Sequence, residues 1–292
     1  MLATGSNKKP RRLSRYALAA GIVCLVLVVA QATVSSATAP SLGTAASFAV
    51  LGGSAVTNTN ASKVTGDLGV SPGSSITGFP PGTVDGTIHS ADAVAAQAQV
   101  DVGTAYDALT SQACDVDLTG QDLGGKTLKT GVYCFDTTAQ LTGDLVLDAE
   151  GNSSAVFIFK MGSTLTTASG STVSMINGGD PCNVFWQVGS SATLGTGTEF
   201  LGNLLALAAI TLTTDANITG RALARVEAVT MDSNDVSNSA CFPASVRVAG
   251  IRATPAGLPL FAGAALLVVA LGLALLQVGT AARRRRSGSR EL

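Results

Sequence analysis

The sequence has few of the side chains that carry chemistry. Its 292 residues include one His and one Trp, and aromatic residues make up 4% of the chain. His89 is followed by Ser90 where a helix is predicted to begin, and no nucleophile can be matched with a base and an orienting group. The sequence therefore predicts no catalytic residues, no cofactor and no enzymatic function.

Long uncharged apolar runs are missing from the middle of the chain and occur only at its ends. Residues 1–39 have a basic start, an apolar run and the small residues Ala37-Thr38-Ala39, the order of a cleavable secretory signal, with an uncleaved signal anchor as the alternative. Residues 258–282 carry no charge and precede four Arg residues, which predicts a membrane-spanning helix followed by a basic cytoplasmic tail at 283–292. A buried core helix is the alternative.

This arrangement predicts a single-pass protein of the cell membrane with an extracellular domain at residues 40–242 and a linker at 243–257. Positive charge is scarce in that part of the chain: residues 40–257 hold 8 Lys and Arg against 18 Asp and Glu, a formal charge of −10. Nucleic acids and anionic lipids bind basic surfaces. Neither is expected as a partner of the extracellular part.

Acidic and cysteine residues offer the only candidate metal ligands besides His89. The pairs Asp115 with Asp117 and Asp232 with Asp235 could bind calcium or transfer protons, but in so acidic a segment solvated loop positions are the better interpretation. No two cysteines are close in sequence, which disfavours zinc. No metal site is expected.

Four cysteines remain once Cys24 is assigned to the signal, and an even number in an exported segment predicts two disulfides. Three pairings are possible. We favour the one in which each disulfide bridges the chain around one segment of the repeat: Cys114 with Cys134, and Cys182 with Cys241.

A short unit, in which Ala or Ser, an apolar residue and Thr follow one another, recurs along the chain. Thr193, Thr211 and Thr230 end three such units at steps of 18 and 19 residues, and Thr57 ends another. This period, with many Thr, Gly and Asn residues, favours a stacked β-solenoid, because the Leu and Asn spacing of a leucine-rich repeat is missing. In these strands the apolar residues should point inward and the Thr residues toward water.

Residues 91–111 are Ala-rich and predict one long amphipathic helix. Ser90 is placed to cap its N-terminus, and Asp92 suits the positive end of the helix dipole. Such a helix spans roughly 30 Å, the depth of about six or seven stacked strands, so it can run along the solenoid. Its buried stripe is expected to contain Val94, Ala98, Val102, Ala105 and Leu109.

Two further features follow from local composition. The unbroken apolar runs at 155–159, 184–186, 204–208 and 222–224 are expected beneath the helix, because strands buried on both sides do not alternate. Residues 71–90 are rich in Pro, Gly and Ser and show no period, which predicts an ordered loop or cap over one end of the stack.

Several segments, in this order, carry a family resemblance: LGTAASFAVLGGSAVTNT, GDLGVSPG, GFPPGTV, LKTGVY, AVFIFKMGSTLTT and NVFWQVGSSATLGTGTEFLGNLLA. They resemble the ice-binding protein family of bacteria and fungi over nearly all of residues 40–242. The resemblance implies an all-β fold with one long helix: a discontinuous, right-handed, triangular β-solenoid flanked by a single α-helix. It also implies that the first strands enter the stack beside the last coils.

The resemblance further implies a monomer whose partner is an ice crystal surface. On a flat face, each Thr offers a hydroxyl and a methyl at fixed spacing, which can hold water in an ice-like arrangement. Gly195 and Asp232 stand where a second Thr would complete a Thr-x-Thr pattern, so weak to moderate ice activity is expected. The expected ice-binding residues are Thr57, Thr59, Thr164, Thr166, Thr193, Thr211, Thr213 and Thr230.

The alternative function is a surface adhesin or structural solenoid that binds a protein or a glycan and has no ice activity. Glycan binding commonly uses exposed aromatic rings, yet Phe157, Phe159, Phe185 and Trp186 fall in runs expected to be buried. A glycan is therefore disfavoured, and a protein partner stays open.

Overall fold

The computed structural model describes residues 37–241. Within this range no helix is long and apolar enough to cross a membrane. The first 36 residues of the predicted signal, the predicted linker (243–257), the predicted membrane-spanning helix (258–282) and the predicted tail (283–292) lie outside the described residues. Residues 37–241 contain two hydrophobic core clusters and both disulfides, features expected of a domain that folds on its own.

The described chain consists of short strands, three 3-10 turns and one α-helix, α1 (Ala93–Thr110). The strands, in chain order, are β1 (Phe48–Gly52), β2 (Ala55–Thr59), β3 (Lys63–Thr65), β4 (Asp67–Val70), β5 (Ser75–Thr77), β6 (Thr83–Asp85), β7 (Ile88–Ser90), β8 (Val116–Asp117), β9 (Thr127–Lys129), β10 (Gly131–Phe135), β11 (Ala139–Leu141), β12 (Asp144–Asp148), β13 (Phe157–Met161), β14 (Leu165–Thr167), β15 (Thr172–Ile176), β16 (Val184–Val188), β17 (Ala192–Leu194), β18 (Glu199–Ala206), β19 (Ile210–Leu212), β20 (Asn217–Ala224), β21 (Val229–Asp232) and β22 (Asp235–Ser237).

Parallel pairing stacks these strands into coils with three faces. The helix face has the order β8-β10-β13-β16-β18-β20-β1-β4-β7, and the open face has the order β9-β12-β15-β18-β20-β22-β3-β6. The third face, which we call the Thr face, has the order β11-β14-β17-β19-β21-β2-β5. The predicted stacked solenoid is therefore present in the described residues. Each coil has one strand on each face, except that the coil of β8 and β9 has no strand on the Thr face and that β7 alone lies beyond β4.

Strands β18 and β20 each run through a corner and contribute to both the open face and the helix face. The corner residues are Gly202 and Gly220, which lie opposite each other in the ladder and have φ angles of 113° and 144°. A Cβ on Gly220 would lie 2.0 Å from the carbonyl oxygen of Gly202. Only glycine allows two such corners to stack directly.

Helix α1 covers the helix face, as predicted, but its start differs from the prediction. The N-cap is Asp92, whose Oδ1 accepts a hydrogen bond of 2.8 Å from the amide of Ala95. The prediction of Ser90 as the cap is wrong, because Ser90 belongs to β7 and its hydroxyl donates to the carbonyl of Ser74. Val94 is also wrongly assigned to the buried stripe and is 42% exposed, because Ala95 takes the inward position at this turn.

The core has two layers. One lies inside the coils, and the other lies between the helix face and α1. Side chains inside the coils include Phe157, Phe159 and Trp186, and the rings of Phe159 and Trp186 stack with centroids 4.0 Å apart. Alternate residues of the same strands, such as Ile158 and Phe185, point outward and pack under α1. The predicted runs buried on both sides are confirmed, except that the third of them ends at Ala206, before the exposed Leu207.

Residues 71–90 are not a loop. They form β5 and β6, which complete the coil of β4, and β7, which pairs with β4 at the end of the helix face. The prediction of an ordered loop was wrong because each strand is three residues long and Pro and Gly fill the connections, which hides the period.

The stack is discontinuous in the way that the resemblance implies. Strands β1, β2 and β3 pair with β20, β21 and β22, so the beginning of the described chain continues the stack beyond its last C-terminal coil. We call this junction the seam. No peptide bond joins the coils directly across it, so backbone and side-chain contacts alone hold the two parts in register.

Both ends of the described chain are fastened to the fold. Cys182 is bonded to Cys241 and Cys114 to Cys134, the pairing favoured from the sequence. At the other end Ala37 is buried. The Thr38 amide donates to Gln112 Oε1, and Gln112 Nε2 donates to the Thr38 carbonyl, each at 2.8 Å.

Candidate functional site

The Thr face carries one unbroken row of threonines. In spatial order the strands contribute one Thr each, and every neighbouring pair is in direct register. Strands stack about 4.8 Å apart, so six residues span about 24 Å. We call these residues the Thr row: Thr166, Thr193, Thr211, Thr230, Thr57 and Thr77. At one end of the face the row terminates at Gln140, which pairs with Thr166.

The local sequence explains why these hydroxyls face water. In β19 the neighbours Ile210 and Leu212 are buried in the core, so the alternation of a strand turns Thr211 outward. Along the row, Thr57 Oγ1 lies 3.3 Å from Thr230 Oγ1 and donates a hydrogen bond to it. The row therefore presents hydroxyl and methyl groups at the strand spacing, partly or fully exposed.

Short side chains flank the Thr row on one side. Two residues before each Thr of the row stands an Ala, a Ser or, at position 164, a Thr, and Ala55 and Ser75 are directly paired. The carbonyls of Ser191, Ala209 and Ala228 accept hydrogen bonds from the adjacent coil, which shows that the ladder extends through this flank. No bulky residue of this flank stands above the threonines.

The other flank contains Thr59, Thr213, Gly195 and Asp232. Thr59 lies opposite Asp232, and the Thr213 hydroxyl donates to the Leu194 carbonyl at 2.7 Å. A Cβ on Gly195 would lie 2.6 Å from the carbonyl oxygen of Thr167, so packing against the neighbouring coil accounts for glycine there. The lack of a Thr at this position has a steric cause.

The Asp232 side chain accepts several hydrogen bonds at the edge of the Thr face. Its carboxylate accepts from the Thr214 hydroxyl at 2.7 Å, from Asn60 Nδ2 at 2.8 Å and from the Ser233 hydroxyl at 3.3 Å. The bond from Thr214, followed by that from Asn60, lowers the pKa of Asp232 below its ordinary value of 3.8. The group is therefore ionised at neutral pH.

The structure brings most of the predicted site residues together and adds one. Thr77 was missed because residues 71–90 were interpreted as a loop. Ser75-Ile76-Thr77 nevertheless repeats the unit of Ala or Ser, apolar residue and Thr, and this pattern could have identified it. Of the predicted residues, Thr57, Thr166, Thr193, Thr211 and Thr230 lie in the Thr row, while Thr59, Thr164 and Thr213 lie on its flanks.

At the other candidate sites, the side chains make contacts that hold the fold together. His89 Nδ1 lies 2.7 Å from Asp92 Oδ2 at the start of α1, and the His89 ring packs against Phe48. Asp115 accepts from the Val132 amide, and Asp117 from the Thr119 amide. Asp232 and Asp235 belong to strands of different faces. Among residues 37–241 no cluster of His, Cys, Asp or Glu could hold a metal ion.

The geometry suits the binding of an extended, regular surface more than that of a small molecule. A rigid row of hydroxyls and methyls can order water along one direction, because parallel strands fix every position in the row. The Thr row itself contains no carboxylate, imidazole or thiol that could act on a bound substrate. The face offers one hydroxyl and one methyl group per strand, repeated in register.

Comparison with known proteins agrees with this geometry. Residues 50–237 match the family described as ice-binding-like. An ice-binding protein of Nostoc sp. (strain HG1) is 58% identical over 229 residues, which cover 78% of this chain and 84% of that protein. Residues 50–237 include the whole Thr row.

Solved structures show the same fold. The ice-binding protein of the Antarctic ascomycete Antarctomyces psychrotrophicus has a TM-score of 0.67 and 43% identity, over 68% of this chain and 98% of that one. An ice-binding protein from an Antarctic biological consortium has a TM-score of 0.68 and 46% identity, over 69% of this chain and 92% of that one.

Proposed function

The chain belongs to the ice-binding-like family, and we propose that it binds ice through the Thr face. One observation carries the assignment of the face: six threonines occupy one unbroken row in strand register. Members of this family are not enzymes, and neither is this chain. The role we propose is antifreeze-like, either inhibition of ice recrystallisation or adhesion to ice.

The mechanism follows from the order of the Thr row. Each hydroxyl can donate and accept hydrogen bonds, and each methyl confines the water beside it. Water held at the spacing of the strands can join a growing crystal plane, which anchors the protein there. The two core layers and both disulfides keep the coils in place, so the protein loses little conformational freedom when it binds.

The other two faces are less suitable for contact with ice. Helix α1 covers the helix face. On the open face Glu199, Asp235 and Lys63 occupy the same outward row as Asn217, so charges of both signs interrupt any regular hydroxyl pattern. Charged groups orient water around themselves and do not continue the arrangement of an ice plane.

Buried aromatic residues also weigh against the alternative of a glycan-binding adhesin. Phe157, Phe159 and Trp186 are fully buried, and Phe185 is 3% exposed. They are therefore not available as a platform for a sugar ring. Ice remains the function that the outward-facing residues support best.

We further propose that residues 40–242 act as a monomer at the cell surface, held by a membrane-spanning helix at 258–282. The motivation is the uncharged apolar run followed by four Arg residues. A monomer suffices because each chain carries a complete Thr row. Recovery of the full chain in washed membranes, with the domain open to protease on intact cells, tests this location. A fully soluble chain would contradict it.

The ice assignment is tested with residues 37–241 labelled with a fluorophore and exposed to a growing ice hemisphere. We expect the domain to partition into the ice. Exchange of Thr193, Thr211 and Thr230 together for Tyr should abolish the partitioning, because the rings separate the plane from the row.

The matched control places the same three rings on another face. Thr65, Thr83 and Thr219 lie on the open face and are exchanged together for Tyr. This variant should coat ice as the parent does. Exclusion of the unmodified domain from ice would reject ice binding, and coating by the Thr193, Thr211 and Thr230 variant would reject the Thr face.

A further inference from the structure

We infer that Asp232 is a positioning residue that holds three adjacent strands of the Thr face, β19, β21 and β2, in alignment. This inference rests on the proposed function, since it concerns the same face. From the sequence, Asp232 is an imperfection, because it stands where a Thr would extend the pattern. The hydrogen bonds of its carboxylate indicate a different role.

The two carboxylate oxygens reach in opposite directions along the stack. Oδ2 accepts from Thr214, which follows β19 in the coil on one side, and Oδ1 accepts from Asn60, which follows β2 in the coil on the other side. A carboxylate has two oxygens with about four acceptor sites. One side chain on β21 therefore connects three adjacent coils.

These three coils carry Thr211, Thr230 and Thr57, the third to fifth residues of the Thr row. Thr214 is three residues from Thr211, Asp232 is two residues from Thr230, and Asn60 is three residues from Thr57. The bond from Asn60 also crosses the seam, where no peptide bond joins the coils directly. Asp232 thus acts where the row depends most on side-chain contacts.

Hydrogen bonds of Asn234 hold the backbone at Asp232 in place. The Asp232 amide donates to Asn234 Oδ1 at 2.6 Å, and Asn234 Nδ2 donates to the carbonyls of Thr213 and Ala216 at 2.8 Å. The Asn234 amide in turn donates to the hydroxyl of Ser62, on the far side of the seam. The backbone at Asp232 is therefore fixed, and its carboxylate has a defined direction.

A Thr at position 232 cannot replace this connection. Its single hydroxyl oxygen is one atom nearer the backbone than the carboxylate oxygens, so it cannot serve donors on both neighbouring coils. If Asp232 were only an imperfection, Asp232→Thr would improve the row and raise ice activity. If Asp232 aligns the coils, the same exchange lowers activity. The two accounts therefore predict opposite signs.

The experiment compares Asp232→Thr with Asp235→Thr in residues 37–241. Asp235 lies in the same coil but on the open face, so the control makes an identical chemical change away from the Thr row. We expect Asp232→Thr to need a several-fold higher concentration to inhibit ice recrystallisation, and Asp235→Thr to match the parent. Activity of Asp232→Thr equal to or above that of the parent overturns the inference.

A double-mutant cycle separates alignment from a general loss of stability. Thr57→Ala and Thr193→Ala are each measured in the parent and in Asp232→Thr. If Asp232 aligns the coils, Thr57→Ala should lower activity less in the Asp232→Thr background than in the parent, because Thr57 is already displaced there. Thr193→Ala should lower activity equally in both backgrounds. Equal losses for Thr57→Ala in both backgrounds contradict the inference.

A second variant covers the case in which Asp232→Thr does not fold. Thr214→Val removes the donor to Oδ2 and leaves Asp232 in place, so one of the two connections is lost and activity should fall below that of the parent. Parent-level activity of Thr214→Val would overturn the inference. Inactivity of the parent domain would instead reject the proposed function, and these two failures are distinguishable.

Discussion

The hydroxyls of Thr57 and Thr230 lie 3.3 Å apart although 173 residues separate them in the sequence. They are neighbours because β2 pairs with β21 across the seam. The Thr row is therefore assembled from two distant parts of the chain, and its regularity depends on how well the seam holds.

Arg221 should be the most important single side chain at the seam. It is 3% exposed, its guanidinium donates twice to the Ala46 carbonyl across the seam, and Nη1 donates to Asn203 Oδ1 at 2.6 Å. Burial lowers the pKa of Arg221 to about 10, so it stays charged at neutral pH. Arg221→Met leaves two buried acceptors without their donor, and we expect the free energy of unfolding to fall by about 3 kcal/mol.

The control is Arg225→Met, measured by urea unfolding alongside it. Arg225 lies over the ring of Tyr106 at 5.3 Å and is partly exposed, so its removal should cost about 0.5 to 1 kcal/mol. Equal losses for the two variants would show that Arg221 has no special role at the seam.

The described N-terminal residues should stabilise the domain. A chain that begins at Pro40, where the predicted signal would end, lacks the buried Ala37 and both hydrogen bonds between Thr38 and Gln112. We expect it to lose about 1 kcal/mol relative to a chain that begins at Ala37. Thermal unfolding of both chains, with and without Gln112→Ala, measures this difference.

Gln112→Ala serves as the internal control of that comparison. It removes the same hydrogen bonds from the other side, so it should destabilise the longer chain and change the shorter one little. Equal destabilisation of both chains would show that the Thr38 bonds contribute nothing.

Acid should destabilise the domain through carboxylates that accept hydrogen bonds. The Thr44 amide, together with Gln97, holds the pKa of Asp101 below its ordinary value, and the Ala95 amide does the same for Asp92. A lowered folded-state pKa means that the unfolded chain binds protons more readily. The stabilisation is therefore present above the ordinary carboxyl pKa and is lost as the pH falls through the lower, folded-state values.

Melting temperature against pH checks this expectation. Asp101→Asn should lower the melting temperature at neutral pH and flatten its decline in acid. Asp107→Asn, on the exposed side of the same helix, should leave the curve unchanged. A curve for Asp101→Asn parallel to that of the parent would contradict the assigned cause.

The sequence predicted the features that depend on repetition. The coil period, the helix along the stack and the outward direction of Thr193, Thr211 and Thr230 all follow from strand or helix periodicity, which is a local property. The family resemblance supplied the seam, because pairing of β2 with β21 leaves no trace in either segment alone.

Predictions from the sequence were wrong or incomplete where individual contacts, and not strand or helix periodicity, determine the structure. The N-cap of α1 is Asp92 and not the predicted Ser90, because Ser90 belongs to a strand. Thr77 was missed because β5 is short and lies among Pro and Gly residues. The carboxylate of Asp232 accepts from Thr214, 18 residues away, and from Asn60, 172 residues away, so the residues next to Asp232 in the sequence could not reveal these bonds.

The most direct test of the account is Thr211→Tyr, measured for ice recrystallisation inhibition and melting temperature together. Thr211 lies third in the Thr row, with Thr193 and Thr230 on either side. The change at this partly exposed position should alter stability by no more than ~0.5 kcal/mol, and Thr219→Tyr on the open face serves as the control. The account predicts loss of inhibition with an unchanged melting temperature, while Thr219→Tyr keeps both. Full inhibition by a folded Thr211→Tyr would contradict it.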